Sequence, residues 1–412
     1  MSYDVIIVGA GPSGSTAARY IASMDFRVLV LEKEKTDREK ACAGGISGRV
    51  IKEFGVPDRA FDRMIYGDFI CSPQYVTVNL EKPYRIGACA MRGKFDKILC
   101  EIAMDEGAEF REESKVVDPI LKDKALVGVR SREKGEIRDY RAKVTVIADG
   151  NLSGMSRKLG VYIGDPHAIF LCYQQQMKLP NSKIDERIGN NIEIYFGSAI
   201  IPIGYAWIFP KDGMVSVGLG APLYIVKEER INLRERLKNF IKHHPVAKEK
   251  LLGAEVSYSQ AALIPHGNLG AGESKIVSQI YGNGYIIVGD AAGFVSPATG
   301  EGIYYGMKSG KLAAEAVVDS FEIEDFSEKI LAGYYEKILE SIVYEDMKFG
   351  WTIRRMFLES DGYTEKLVRA SKADPWFGEM TRKLISGEIP YGRFLRTLYT
   401  HPHKLIKALL YY

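Results

Sequence analysis

No stretch of this sequence reaches the roughly 18–20 consecutive apolar residues that a helix needs to cross a bilayer. Its five cysteines are odd in number and irregularly spaced, which excludes a disulfide framework and a zinc-binding pattern. They are also too scattered for an iron–sulfur cluster, which needs four thiolates close together. Charge of one sign is lacking as well: the formal net charge is +3, too small for general nucleic-acid binding, so no nucleic-acid partner is expected. No basic segment with a cleavage site opens the chain, and a cytoplasmic protein is expected. The pair His243-His244 closes a helix before Pro245 and reads as a surface pair, so no metal is expected. No internal repeat or low-complexity tract stands out. With 412 residues the chain is long enough for two or three domains.

What is present begins with residues 3–8, a continuous apolar run that ends at glycine, as a central parallel strand does. Gly9-Ala-Gly-Pro-Ser-Gly14 follows, then an alanine-rich helix over residues 13–24 and a strand over 27–31 closed by Glu32. In this βαβ unit Gly9 permits the tight turn, Gly11 a close approach to pyrophosphate, and Gly14 helix–strand packing. The helix N-terminus offers free N–H groups to phosphate, and Glu32 is placed for ribose hydroxyls. A glycine turn without a ligand is the plain alternative; strand, helix and acid together argue against it.

A second segment, Tyr285-Ile-Ile-Val-Gly-Asp-Ala-Ala-Gly293 continuing to Gly300-Glu-Gly302, makes the nucleotide an FAD. Asp290 follows a buried strand, where a carboxylate needs hydrogen-bond partners, and a ribityl hydroxyl supplies one. Gly293, Pro297, Gly300 and Gly302 let backbone lie against a flat ring. The helix that starts near Gly302 aims its N-terminus at the same place, which favours negative charge on a reduced flavin. Asp149-Gly150 and Arg92-Gly-Lys-Phe-Asp96 also sit beside predicted elements, though each alone is a common turn or cap.

Elsewhere, residues 76–80 and 84–90 read as a hairpin, 95–106 as an amphipathic helix, and 144–148 as a buried strand. Residues 167–278 alternate apolar and polar and read as an antiparallel sheet, interrupted by one helix at 230–243. The expected fold is α/β: a Rossmann-type FAD-binding domain with an inserted antiparallel β-sheet substrate domain and a helical C-terminal region. The expected boundaries are 1–70, 92–165 and 279–324 for the FAD-binding domain, 71–91 and 166–278 for the substrate domain, and 325–412 for the helical region.

The glycine motif with Glu32, then Arg92, Phe95 and Asp96, Asp149-Gly150 and Gly289-Asp290, resembles the para-hydroxybenzoate hydroxylase-like superfamily of FAD proteins in order and spacing. That resemblance implies that Arg92 and Asp290 lie close to the cofactor. In Pro202-Ile-Gly-Tyr-Ala-Trp-Ile-Phe-Pro210 the rings Tyr205, Trp207 and Phe209 alternate, so a strand puts all three on one face, with Ala206 and Ile208 on the other. A lone aromatic stripe is usually core. The full pattern, however, resembles the signature of the geranylgeranyl reductase family, whose members saturate isolated double bonds in polyprenyl chains. Ala41-Cys-Ala-Gly-Gly-Ile-Ser47 falls where that family carries a cysteine in a glycine-rich loop.

The resemblance implies FAD contacts from Gly9, Gly11, Pro12, Ser13, Gly14, Glu32, Lys33, Cys42, Ala43, Gly44, Arg92, Asp149, Gly150, Gly289, Asp290, Gly300, Gly302 and Ile303. It implies substrate contacts from Tyr205, Trp207 and Phe209, and catalytic roles for Cys42, Tyr205 and Trp207. An unactivated alkene has no carbonyl to hold a carbanion, so a proton must lead or accompany the hydride, and Cys42 or Tyr205 is the expected source, with water a third. The remaining cysteines, Cys71, Cys89, Cys100 and Cys172, read as packing. No second nucleotide fingerprint is found, leaving NAD(P)H or ferredoxin as electron donor. The rival readings are a flavin monooxygenase of the same fold, a polyprenyl-quinone side-chain reductase or quinone-linked dehydrogenase, and a prenyl carrier. The stretch 391–412 carries Arg393, Arg396, Lys404 and Lys407 with no acidic residue, among Phe394, Leu395, Leu398, Leu405, Ile406, Leu409 and Leu410. It reads either as a peripheral contact with the inner face of the cell membrane or as a helix packed on its own protein.

Overall fold

Val5–Val8, Val28–Leu31 and Val144–Ile147 are short, wholly buried strands, as a parallel sheet covered on both faces requires. A computed structural model of the protein describes residues 2–266 and 275–411, with the side chains of the last helix described through Lys407. Two compact units emerge: Met1–Glu39, Arg92–Ala168 and Pro265–Lys348 in the first, and Lys40–Met91, Ile169–Ile264 and Phe349–Tyr412 in the second.

The first unit is built on a six-stranded sheet. Its order is Tyr281–Gly282, Tyr285–Ile287, Val144–Ile147, Val5–Val8, Val28–Leu31, Glu109–Arg111. Val5 pairs in parallel with both Val28 and Val144. The helices Pro12–Ala22 and Ile303–Ile323 pack on each other, and Arg92–Asp105 packs beside the first of them. A separate antiparallel sheet of Ser114–Lys122, Ala125–Glu133 and Glu136–Arg141 is joined by tight turns, with left-handed φ at Asp123, Lys124, Lys134 and Gly135.

The second unit holds a seven-stranded sheet in the order Glu255–Pro265, Ile169–Lys178, Met214–Pro222, Tyr205–Pro210, Asn191–Phe196, Gly67–Cys71, Thr77–Glu81. One face of its strands, with Met177, Ala206, Ile208, Val215, Val217 and Leu219, forms a core with the helix Leu233–His243. Period two then sends Tyr205, Trp207 and Phe209 to the opposite face.

Two expectations are corrected here, the hairpin and the single interrupting helix. Residues 76–80 and 84–90 do not form a hairpin: Thr77–Glu81 pairs with Gly67–Cys71, whereas Gly87–Cys89 pairs with Gly45–Ser47 and Arg63–Ile65 in a third sheet. Residues 40–70 group with the second compact unit and residues 1–39 with the first. Ile169–Lys178, Met214–Pro222, Tyr205–Pro210 and Asn191–Phe196 pair antiparallel as expected, with Asn191–Phe196 also parallel to Gly67–Cys71, but more than one helix interrupts them. The C-terminal region is helical as expected, and its residues through Lys348 group with the first unit and those from Phe349 with the second. The part of the expected sheet at 267–274 lies outside the described residues.

His243-His244 is also not a surface pair. His244 is buried, its ring meets those of Tyr195 and Phe240, and its Nδ1 accepts the Ala247 N–H at 3.2 Å. Burial pushes its pKa down to about 4. In the helix Tyr391–Thr400, Tyr391, Phe394 and Leu398 are buried, so much of its apolar face is covered by its own protein. Lys404 donates to Asp374 at 2.9 Å. The side chains of Leu409 and Leu410 lie outside the described residues.

Candidate active site

In the first unit the two glycine segments pack against each other through Ser13. Gly9 has φ +103°, and a Cβ there would stand 2.4 Å from the Ala148 carbonyl oxygen. A Cβ on Gly14 would meet the Gly9 carbonyl oxygen at 2.0 Å. Around Gly11, by contrast, there is open space within 4 Å of where a Cβ would stand. That is the combination a pyrophosphate needs: a tight turn, close helix–strand packing, and room for the ligand. The helix Pro12–Ala22 begins at Gly11 with Pro12 in its first turn and no side-chain cap, so its first N–H groups are left for an acceptor.

The second segment closes on the same helix. Ser13 sits where side chains on Gly289 and Gly306 would collide with its Oγ at 2.1 and 2.5 Å, and Ser309 Oγ accepts the Gly289 N–H at 3.0 Å. Asp290 follows in the short helix Gly289–Ala292 and is half-buried. Gly300 has φ +69°, and Gly302 caps the helix Ile303–Ile323 with no side chain bonded to its first turn. A Cβ on Gly302 would stand 3.3 Å from Asp290 Oδ1. Residues nearly three hundred positions apart in sequence thus lie in one place.

Glu32 is buried, and its carboxylate accepts the Ala10 N–H at 2.8 Å and the Glu34 N–H at 3.1 Å, so it holds the glycine turn itself. Lys33 is exposed. Asp149 accepts the Met155 N–H at 3.0 Å, while its Oδ1 is buried with no hydrogen-bond partner among the described residues. Burial raises its pKa. Gly150 has φ +84°. Arg92 is taken up by Asp96 through two bonds of 2.8 and 2.9 Å, and Arg38 adds a third at 2.8 Å. An FAD fits these donors, this open turn and this unpartnered carboxylate oxygen.

The second unit carries the other candidates. Across three strands Tyr205 pairs with Gly220, and Gly220 with Cys172; Trp207 pairs with Gly218, and Gly218 with Gln174; Phe209 pairs with Ser216, and Ser216 with Gln176. The middle strand therefore presents only glycine, glycine and serine to this face. Trp207 lies down on it: a Cβ on Gly218 would be 2.3 Å from Cζ2 of the indole. Cys172 does the same at Gly220, with Sγ 2.4 Å from the missing Cβ. The Tyr205 and Trp207 rings are 6.0 Å apart at 62°. The indole Nε1 of Trp207 is buried without a partner among the described residues. Burial raises the Tyr205 phenol above its ordinary value, with Cys172, Tyr391 and Cys42 adding to it. Burial also lifts the Cys172 thiol to about 12.

Cys42 is half-buried, and its Sγ accepts the Gly44 N–H at 3.3 Å. Gly44 has φ +82°, and a Cβ there would strike the Ala90 carbonyl oxygen at 2.1 Å. Lys211, 1% exposed, donates to the Ala43 carbonyl at 2.8 Å and so pins the Cys42 loop to the end of the aromatic strand. Phe209 lies against Gly45 in the same loop. The structure thus brings Cys42, Ala43, Gly44, Tyr205 and Phe209 together in one unit.

Sequence reasoning did not single out Lys211 or the row Ser216, Gly218, Gly220, while Cys172, read as packing, lies against that row. Small residues at every second position of Met214–Pro222 were the available signal for the row. Nothing in the sequence marked Lys211, which follows Pro210 like a turn lysine.

A family model described as FAD binding domain matches residues 2–196, and one described as geranylgeranyl reductase catalytic domain matches residues 169–258. The digeranylgeranylglycerophospholipid reductase of Thermoplasma volcanium is 30% identical over 378 residues, covering 89% of this chain and 91% of that one. The chain belongs to the digeranylgeranylglycerophospholipid reductase family. A relative of the same name in Methanocaldococcus jannaschii is 31% identical, over 83% of this chain and 85% of that one. Among solved structures, a geranylgeranyl bacteriochlorophyll reductase-like protein from Thermoplasma acidophilum superposes with a TM-score of 0.81 at 28% identity, covering 97% of this chain and 99% of that one. A flavin-dependent brominase shares the fold, with a TM-score of 0.70 at 20% identity over 98% of this chain and 100% of that one. Like the rest of the family, this chain is an FAD-dependent oxidoreductase.

Proposed function

We propose that this member of the family saturates the isolated double bonds of geranylgeranyl chains in digeranylgeranylglycerophospholipid, a step of archaeal-type membrane-lipid synthesis. The observation that carries the reading is the strand Tyr205–Pro210, whose three rings border the row Ser216, Gly218 and Gly220 on a half-buried sheet face. Bound FAD, when reduced, supplies the hydride.

The protein's own residues do the rest. The aromatic faces of Tyr205 and Trp207 exclude water and stabilise positive charge developing on the alkene. Tyr205 stays protonated because burial disfavours its phenolate, so it holds a proton to give. Cys42, held by the Gly44 turn and by Lys211, is the second proton source. Cys172 is kept as a thiol by burial and narrows the space beside Tyr205. Electrons reach the flavin from NAD(P)H or ferredoxin. Among the described residues no helix is long and apolar enough to cross a membrane. Exposed Tyr399 and Ile406 on the last two helices are available for peripheral contact with the lipid surface.

The test is anaerobic. The purified flavoprotein is reduced with dithionite and mixed with digeranylgeranylglyceryl phosphate while flavin absorbance and lipid mass are followed. Gain of two hydrogens per double bond with flavin reoxidation is expected. Reduced flavin that persists with the lipid but reoxidises with a quinone would replace this reading by the quinone-linked one.

A further inference from the structure

Arg354, in the helix Ile342–Leu358, is 1% exposed. Its Nε and Nη1 have no hydrogen-bond partner among the described residues. Its neighbours are rings: Phe170 lies with its centroid 5.0 Å from the guanidinium carbon, and Trp351, one turn back, at 4.9 Å. Tyr224 offers its hydroxyl. The other buried cations of the second unit are matched differently. Arg382 is held by Glu379 and Glu388, and Lys211 by the Ala43 carbonyl. Glu359, 3.9 Å from Arg355 Nε, also acts favourably on Arg354. Taking a guanidinium out of water with two donors unbonded is nevertheless costly, and aromatic faces offset only part of that cost. Guanidinium does not escape by losing its proton.

The place of Arg354 gives the missing acceptor a chemistry. Phe170 stands two residues before Cys172 on the strand Ile169–Lys178, paired with Pro222 as Cys172 is with Gly220. It is therefore on the same sheet face as the row beside Tyr205. The guanidinium lies at the end of that row. A lipid lying along the row would put apolar chain against glycine and indole and its charged end within reach of Arg354.

We propose that Arg354 binds the phosphate of the lipid substrate, a phosphate ester on the glycerol head. The inference rests on the substrate reading above. A guanidinium presents parallel N–H pairs along two edges, Nε with Nη2 and Nη1 with Nη2, and on each of these edges Arg354 has an unoccupied donor, which suits an oxyanion. The aromatic walls exclude the water that would otherwise compete. Arg354 thereby fixes which end of the lipid enters first, and so which double bonds meet the Tyr205 row.

Full-length flavoprotein carrying Arg354→Gln or Arg354→Lys is compared with the unsubstituted protein on digeranylgeranylglyceryl phosphate and on digeranylgeranylglycerol, which lacks the phosphate. Arg354→Gln should raise KM for the phosphate ester by about tenfold or more, leave kcat and the neutral lipid unchanged, and retain flavin. Arg354→Lys should recover part of the loss. Equal changes for both lipids, no change for either, or loss of flavin would overturn the proposal. Thermal melting with inorganic phosphate and with glycerol 1-phosphate separates this inference from the substrate reading. If the unsubstituted protein turns over neither lipid, the substrate reading falls; stabilisation by both phosphates that is lost in Arg354→Gln then still supports a phosphate-ester site, and its absence overturns it. Stabilisation by inorganic phosphate alone, with lipid KM unchanged in Arg354→Gln, assigns the residue to a free anion and overturns the lipid head group as its ligand.

Discussion

Tyr205 and Cys172 lie on either side of Gly220, paired to the same residue from opposite strands. The phenol and the thiol are neighbours only because that residue has no side chain. A methyl group at Gly220 would stand 2.4 Å from Cys172 Sγ, and one at Gly218 would stand 2.3 Å from the Trp207 ring. Gly220→Ala and Gly218→Ala should each cost about 1–3 kcal/mol of stability through overpacking. Both should bind FAD normally but lose alkene reduction; measured together, melting temperature, flavin content and single-turnover reoxidation check this. Full activity in both would remove the row from the site.

Cys42 and Lys211 should be separable. Cys42→Ala keeps the Lys211–Ala43 bond and should retain flavin while slowing lipid-driven reoxidation by about a hundredfold, the scale of a lost general acid. Lys211→Met frees the Ala43 carbonyl and should lower both stability and turnover. Its loss of turnover should be partly recovered by Lys211→Arg, whereas Cys42→Ala gains nothing from a charge. Unchanged turnover in Cys42→Ala would leave Tyr205 as the proton source.

Flavin retention should be most sensitive at Gly14 and Glu32. Gly14→Ala drives a Cβ into the Gly9 carbonyl oxygen, 2.0 Å away, and Glu32→Ala removes the acceptor of the Ala10 N–H. Each should yield protein with little bound FAD, read from absorbance after gel filtration, whereas Lys33→Ala, at an exposed position, should stay yellow.

Asp68 sets a pH dependence of stability. It is fully buried on the strand Gly67–Cys71, neither oxygen has a partner among the described residues, and burial lifts its pKa to about 8, against an unfolded value near 3.9. Between those values the folded protein keeps a proton that the unfolded chain has lost. Stability from this group is thus complete below about pH 4, falls as pH rises, and is flat above about pH 8, with a slope of up to about 1.4 kcal/mol per pH unit. Asp68→Asn should flatten the profile and raise the melting temperature at pH 8. Denaturant unfolding at pH 5 and pH 8 tests it, and an Asp68→Asn profile parallel to the unsubstituted one would refute it.

The sequence was most informative where one short segment carries the whole requirement. Gly9, Gly14 and Glu32 act through backbone spacing within one βαβ unit, and Tyr205, Trp207 and Phe209 through period two within one strand. It was least informative where a residue's meaning depends on a distant partner. Lys211 becomes a buried tether only because the loop around Ala43 folds over it. Arg354 sits beside Arg355 in a stretch that reads only as helical, yet Arg354 is 1% exposed while the side chain of Arg355 is 74% exposed. The strand Gly67–Cys71 was not recognised for the same reason: its partners are Thr77–Glu81 and Asn191–Phe196, and local pattern does not reveal which strands will accept it.

The clasp of Ser13 by Gly289 and Gly306 has a consequence for synthesis of the chain. A ribosome releases the first glycine turn long before Asp290 and the helix after Gly302 exist. Until that helix emerges, the turn lacks the segment that packs against it, and the nascent protein offers only half a berth for a dinucleotide. Cofactor loading is therefore a late event, and a chain that stops before residue 285 should leave the ribosome colourless even though it contains the whole N-terminal glycine motif.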